Sequence, residues 1–145
     1  MDTEKESELQ RQFPIFLKDM HGDMMKTCMA WGCECGNGWY KPIEELCRAV
    51  EEINNKRKDG KVIAAQIKAK FGDLRVYWDW EGKGEVPEEV LKKMREIIQT
   101  ADAKCGSTCE VCGHYEEGAE YWKHYNLCDE CWKKAEWRKE PKKPD

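Results

Sequence analysis

No stretch of this chain is apolar for long enough to cross a membrane, and its opening, Met1-Asp2-Thr3-Glu4-Lys5-Glu6, has neither the basic start nor the apolar run of a secretory signal. A cytoplasmic location without a membrane partner is the expectation. A positive excess is also missing: 25 Lys and Arg stand against 29 Asp and Glu, a net charge of −4. Strong generic affinity for nucleic acid is therefore not implied by the chain as a whole. Catalytic signatures are absent as well. There is no H-E-x-x-H, no P-loop, no nucleophile elbow, and no deaminase-type H-x-E with its cysteine pair, so the chain is not expected to be an enzyme. The nine cysteines are odd in number and would be reduced in a cytosol, which argues against a disulfide framework. No internal repeat occurs.

The strongest pattern lies near the C-terminus. Cys109-Glu110-Val111-Cys112-Gly113 is followed, fifteen residues on, by Cys128-Asp129-Glu130-Cys131. Two C-x2-C pairs at that separation can wrap four thiolates around one zinc ion in a closed tetrahedron, which is a structural rather than a catalytic arrangement. Gly113 suits the turn that tips backbone N–H groups toward the sulfurs. The run from Trp132 to Arg138 reads as helix and would put Cys128 and Cys131 on its opening turn, where the helix dipole favours thiolate. The expectation is one structural Zn2+ held by Cys109, Cys112, Cys128 and Cys131 in a zinc-ribbon or treble-clef-like module. His114 and His124 fall inside that module, either behind the ligands or on the surface.

At 145 residues, with 40% apolar residues and seven tryptophans, the rest is long enough for one folded core. Residues 1–12 read as a solvated lead-in, helical at most from Ser7, broken by Phe13-Pro14 and followed by the apolar knot Ile15, Phe16, Leu17 and Met20. Ile43, Leu46, Cys47, Val50 and Ile53 recur at helical spacing behind Pro42, with Lys56, Arg57 and Lys58 at the negative end and Gly60 as the stop. Val62 to Phe71 fits a strand or a helix. Gly72-Asp73 marks a turn, and Leu74 to Trp80 is rich in β-favouring residues, so two antiparallel strands are expected. Pro87 opens a second helix whose buried stripe is Val90, Leu91, Met94, Ile97, Ile98 and Ala101, ended by Lys104 and Gly106. The expected fold class is α+β: a small antiparallel sheet packed with two amphipathic helices over residues 1–104, a zinc module over 105–138, and a disordered, proline-broken tail over 139–145.

Two further stretches could carry function. The loop at 27–40 packs Cys28, Cys33, Cys35, Trp31, Trp39 and three glycines into a short span, and Trp31, Trp39 and Tyr40 are candidate partner-binding anchors, with core packing as the plainer role for any one of them. Cys28, Cys33 and Cys35, with His21 or Cys47, offer ligand types for a second metal, but their spacing is irregular and buried thiols are the simpler account. The other stretch runs from Lys56 to Arg75, with seven basic residues against two acidic ones. On a strand, Gln66, Lys68 and Lys70 share a face, and with Arg75 they could meet phosphates while Tyr77 or Trp78 stacks a base. An ordinary solvated strand face is the alternative.

The strings Cys28-Met29-Ala30-Trp31-Gly32, Cys35-Gly36-Asn37-Gly38-Trp39, Gln66 through Tyr77, Thr108 through Gly113 and Leu127-Cys128 together resemble a family of small, mostly uncharacterised proteins encoded in phages and prophages. The sequence departs from that pattern at Asp73 and at Cys33, where a smaller residue and an aromatic are more usual. The resemblance implies the cytoplasm of a bacterial host. It also implies a protein that binds a host protein, inhibiting or redirecting a factor of antiviral defence or transcription. The alternative expectation is a nucleic-acid or small-nucleotide binder using the face around Lys68, Lys70 and Arg75.

Overall fold

The computed structural model describes residues 1–135. The expected tail at 139–145 and the last turn of the expected C-terminal helix, 136–138, lie outside them. Four helices and three strands follow in the order α1 (Thr3–Gln12), β1 (Cys33–Glu34), α2 (Tyr40–Lys56), β2 (Gly60–Lys70), β3 (Asp73–Gly82), α3 (Glu88–Gly106) and α4 (Asp129–Lys134). The architecture is α+β, as the sequence indicates. No helix among the described residues is long and apolar enough to cross a membrane.

The sheet has the order β1-β2-β3 and is mixed rather than purely antiparallel: β2 and β3 form an antiparallel hairpin, while the two-residue β1 pairs parallel to β2 through Cys33↔Ile67 and Glu34↔Lys68. Beyond β1, the same edge of β2 is continued by the 13–20 segment, where Ala64 N–H donates to Phe16 O at 2.8 Å. Residues 62–70 are thereby settled as strand. The simple alternation expected of them is broken, because a bulge between Ala64 and Gln66 inserts Ala65 opposite the continuous β3. The phase shifts by one residue, so Val62 and Ala64 share the core face with Ile67 and Ala69, opposite Trp80, Trp78, Val76 and Leu74. Ile63 is buried on the other side of the sheet, and Phe71 leaves the strand for the turn.

Helices α2 and α3 cover the core face. Ile43, Leu46, Cys47, Val50 and Ile53 from α2 meet Val90, Met94, Ala101 and Cys105 from α3 in one core with the sheet residues. Burying each large aliphatic side chain contributes about 1.5–3 kcal/mol. Helix α2 begins at Tyr40, two residues before Pro42, which occupies its first turn where no backbone donor is needed. Asn54, fully buried, clasps the end of α2 to the start of β2: its side chain accepts from Val62 N at 2.7 Å and donates to Val62 O at 3.1 Å. The stripe of α3 is narrower than expected, since Leu91 remains 36% exposed and Ile97 and Ile98 are half-buried.

The lead-in is a correction. Residues 3–12 form a complete helix capped by Asp2, which accepts from Lys5 N, and its inner side buries Leu9 and Glu6. Buried Glu6 is not orphaned: its Oε2 accepts the Cys33 N–H at 2.5 Å and its Oε1 lies 3.7 Å from His21 Nε2. One apolar and one charged contact residue leave no helical stripe to read in the sequence, which is why this helix escapes a periodicity argument.

Candidate metal centre and partner surfaces

Cys109 to Gly113 makes a tight knuckle. Gly113 adopts φ 80° and donates to Cys109 O at 3.0 Å, Cys109 N–H donates to His114 O at 2.8 Å, and His114 N–H points at Cys112 Sγ at 3.5 Å. Left-handed φ at this turn suits a residue without Cβ. The second pair sits on α4: Cys128 is the residue before its first turn and Cys131 lies within that turn. The four Sγ atoms all lie within 4.8 Å of one another, and Cys112 Sγ is 3.7 Å from Cys128 Sγ. Four sulfurs at about 2.3 Å from a tetrahedral ion stand about 3.8 Å apart, so this edge has the required length. The cluster can hold a metal ion. In its thiol form, burial raises the Cys109 pKa, but amide bonds from Cys112, Cys128 and Val111 outweigh it and hold the group at about 7, while burial and hydrogen bonds from the neighbouring sulfurs push Cys131 up. A cation is what lets all four give up their protons together.

The module around this cluster has a small core of its own, Cys109, Tyr121, Leu127 and Cys128. It is fastened to the body through the second half of the 27–40 loop. Trp39 is fully buried and its Nε1–H donates to Thr108 O at 2.9 Å. Gly38 N–H donates to Glu110 O at 2.7 Å and Gly36 N–H to Glu110 Oε2 at 3.0 Å. Glu110 in turn donates its N–H to Asn126 O and accepts from Asn126 Nδ2. Glu110, Thr108 and Asn126 are the residues that sequence reasoning missed. The cysteine spacing names ligands, and nothing in it announces the polar groups that knit the knuckle to a distant loop.

The three candidate anchors therefore separate. Trp39 is corrected from surface to core, because its indole is enclosed at the seam. Tyr40 is half-buried at the start of α2 with Lys5 over its ring at 5.2 Å. Trp31 remains 60% exposed, on a short turn capped by Thr27, whose Oγ1 accepts from Met29 N. Met24 and Met25, in the turn just before this loop, are 63% and 92% exposed. The base of the loop is fixed by fully buried Met29, whose carbonyl accepts from His21 N and Gly32 N.

Among the described residues the quartet is the one cysteine group whose ligand atoms converge. Cys33, Cys35 and Cys47 are core residues and Cys28 is exposed. Burial pushes the Cys35 thiol up to about 12 and also raises Cys33, Cys47 and Cys105, so these groups stay neutral.

The hairpin does bring Gln66, Lys68, Arg75 and Tyr77 together, with Gln66 opposite Tyr77 and Lys68 opposite Arg75 on the outer face, and Lys70 opposite Asp73. Carboxylates accompany them. Gln66 Nε2 donates to Glu34 Oε2 at 3.1 Å, and Arg75 lies 3.4 Å from Asp73. Lys70 rests over Phe71 at 5.6 Å. Counting Asp79, which shares the Arg75 and Tyr77 side of β3, three cations face three carboxylates. Comparison of the chain with protein-family models, with curated proteins and with solved structures gives no match.

Proposed function

We propose that this chain is a non-catalytic binding protein in which one zinc ion, held by Cys109, Cys112, Cys128 and Cys131, is structural, and in which the Trp31 loop docks on a macromolecular partner. The observation that carries this reading is the exposure of Trp31 on a loop whose base is locked into the core, with Met24 and Met25 exposed in the turn that precedes it in the chain. Large rigid aromatics and adaptable methionines are what interfaces use as anchors. Four thiolates complete a tetrahedron and leave no open position for substrate, which supports a metal that shapes rather than reacts. The resemblance to phage-encoded proteins directs the search to a protein of a bacterial host, a factor of antiviral defence or transcription that the chain would inhibit or redirect.

The nucleotide reading keeps one point in its favour: Lys68 and Arg75 face each other beside half-exposed Tyr77, and Lys68 has no ion-pair partner among the described residues. Three carboxylates on the same face weigh against it.

The test is capture of partners from host lysate by the immobilised chain, followed by titration with the purified partner. Trp31→Ala should weaken binding by about 2 kcal/mol, roughly thirtyfold in Kd, with thermal stability retained. Unchanged affinity in the variant contradicts the assignment of the loop. Affinity that collapses with added salt and follows Lys68 and Arg75 instead establishes the phosphate-binding alternative.

A further inference from the structure

Strand β3 is the outer strand of the sheet, and its free edge is unusually well defined. Lys83 N–H donates across the hairpin to Asp59 O, whereas Leu74 N–H points the other way and donates to Asp102 Oδ1 on α3 at 2.9 Å. Odd-numbered residues of β3 therefore bond β2, and the N–H and C=O groups of Val76, Trp78 and Trp80 face outward. None of these three has a hydrogen-bond partner on that side among the described residues, and a shallow groove of about 300 Å³ runs along the first half of the edge beside Ile98 and Asp102. Leu91, exposed, and Ile98, half-buried, lie two turns apart on one face of α3, and Ile98 lines that groove. An open edge next to an unburied apolar stripe invites strand addition.

We propose that the occupant is a second copy of this chain, paired β3 to β3 antiparallel about a two-fold axis at Trp78. The strand's own charges select this register. Outward-facing groups must meet outward-facing groups, so only two-residue steps are allowed. With Trp78 opposite itself, Arg75 lies across from the partner copy's Glu81 and Asp73 across from its Lys83, Val76 packs beside its Trp80, and no like charges are opposed. One step in one direction sets Asp73 against Glu81, and one step in the other sets Asp79 against itself. Directly opposed like charges are destabilising and opposite charges favourable, and each pair occurs twice by symmetry. The pairing continues the sheet across the axis to six strands and brings the two α3 helices side by side beneath it, covering Leu91 and Ile98.

Sedimentation equilibrium of the full chain with its metal tests this. The expected result is a reversible dimer of twice the 17.1 kDa chain mass. Arg75→Glu and Glu81→Arg should each weaken it about tenfold or more, and the double exchange should restore it. Both side chains are exposed, and the pairs they make within the chain, Arg75 with Asp73 and Glu81 with Lys18, are surface ones worth little to folding. The fold should therefore be retained, and recovery in the double variant separates the pairing from any loss of fold. A mass that stays at one chain up to about 100 µM, a dimer indifferent to both single exchanges, or an edge that binds an extended peptide while the chain remains monomeric would overturn the proposal.

Discussion

Gly38 stands where the body meets the module of the four clustered cysteines. A Cβ built on it would lie 2.1 Å from Cys109 O and 2.6 Å from Glu110 C, both backbone atoms that cannot rotate away. The whole approach of the loop to the knuckle depends on that missing methyl group, and the Gly38 N–H to Glu110 O bond is made only at that distance. Gly38→Ala should therefore cost about 1–3 kcal/mol in urea-induced unfolding, on the scale of overpacking a core. Gly106→Ala is the matched control, because nothing lies within 4 Å of the added methyl, and it should be neutral. Equal stability of the two variants would show that the seam yields. Trp39 belongs to the same seam. Its aromatic bulk among glycines reads equally well as anchor or as core, and only the position of Thr108 O, 69 residues away, decides for core.

At the scale of elements, the hairpin carries a local conflict. Phe71 and Gly72 both adopt positive φ, 52° and 86°, the pattern of a type I′ turn, which favours Asn-Gly and penalises a bulky first residue. Phe71 is 88% exposed, so its ring gains little from burial. Phe71→Asn should raise stability by about 0.5–1 kcal/mol in thermal or urea unfolding. A loss of stability instead would mean that the Lys70–Phe71 contact outweighs the backbone strain. The elements legible in the sequence are those with a period or a local signal. Helix α2 shows its stripe, α3 its opening and length, and β3 its β-favouring run. Helix α1, with a single apolar inward residue, has no such signal. Nor does β1, whose two residues are strand only because β2 lies beside them, or the bulge at Ala65, which depends on how the strand meets Trp78 and Tyr77. The predicted α3 stripe is broader than what the monomer buries: Ile97 is half-buried toward α2, and Ile98 is half-buried beside the free edge of β3.

At the scale of the whole molecule, the converging cysteine quartet is legible because its four members are specified by short local spacing, whereas the surfaces are not, because exposure is a tertiary property. The module after α3 has a small core of its own, Cys109, Tyr121, Leu127 and Cys128. Contacts with the body add to it. They include the Trp39 seam and the approach of Gly72 in the hairpin tip to Trp122, whose Cβ would stand 2.7 Å from a methyl at Gly72. A bound ion would add to both, since structural zinc sites supply about 10–16 kcal/mol. Removing it should loosen the module and release Trp39, since the indole's acceptor is the residue before the first ligand. The most direct measurement is elemental analysis of the purified, metal-replete chain together with its Cys112→Ser variant. The account predicts one equivalent of zinc per chain, falling well below one in the variant. Less than half an equivalent in the parent chain, a second full equivalent, or full retention in Cys112→Ser would contradict it.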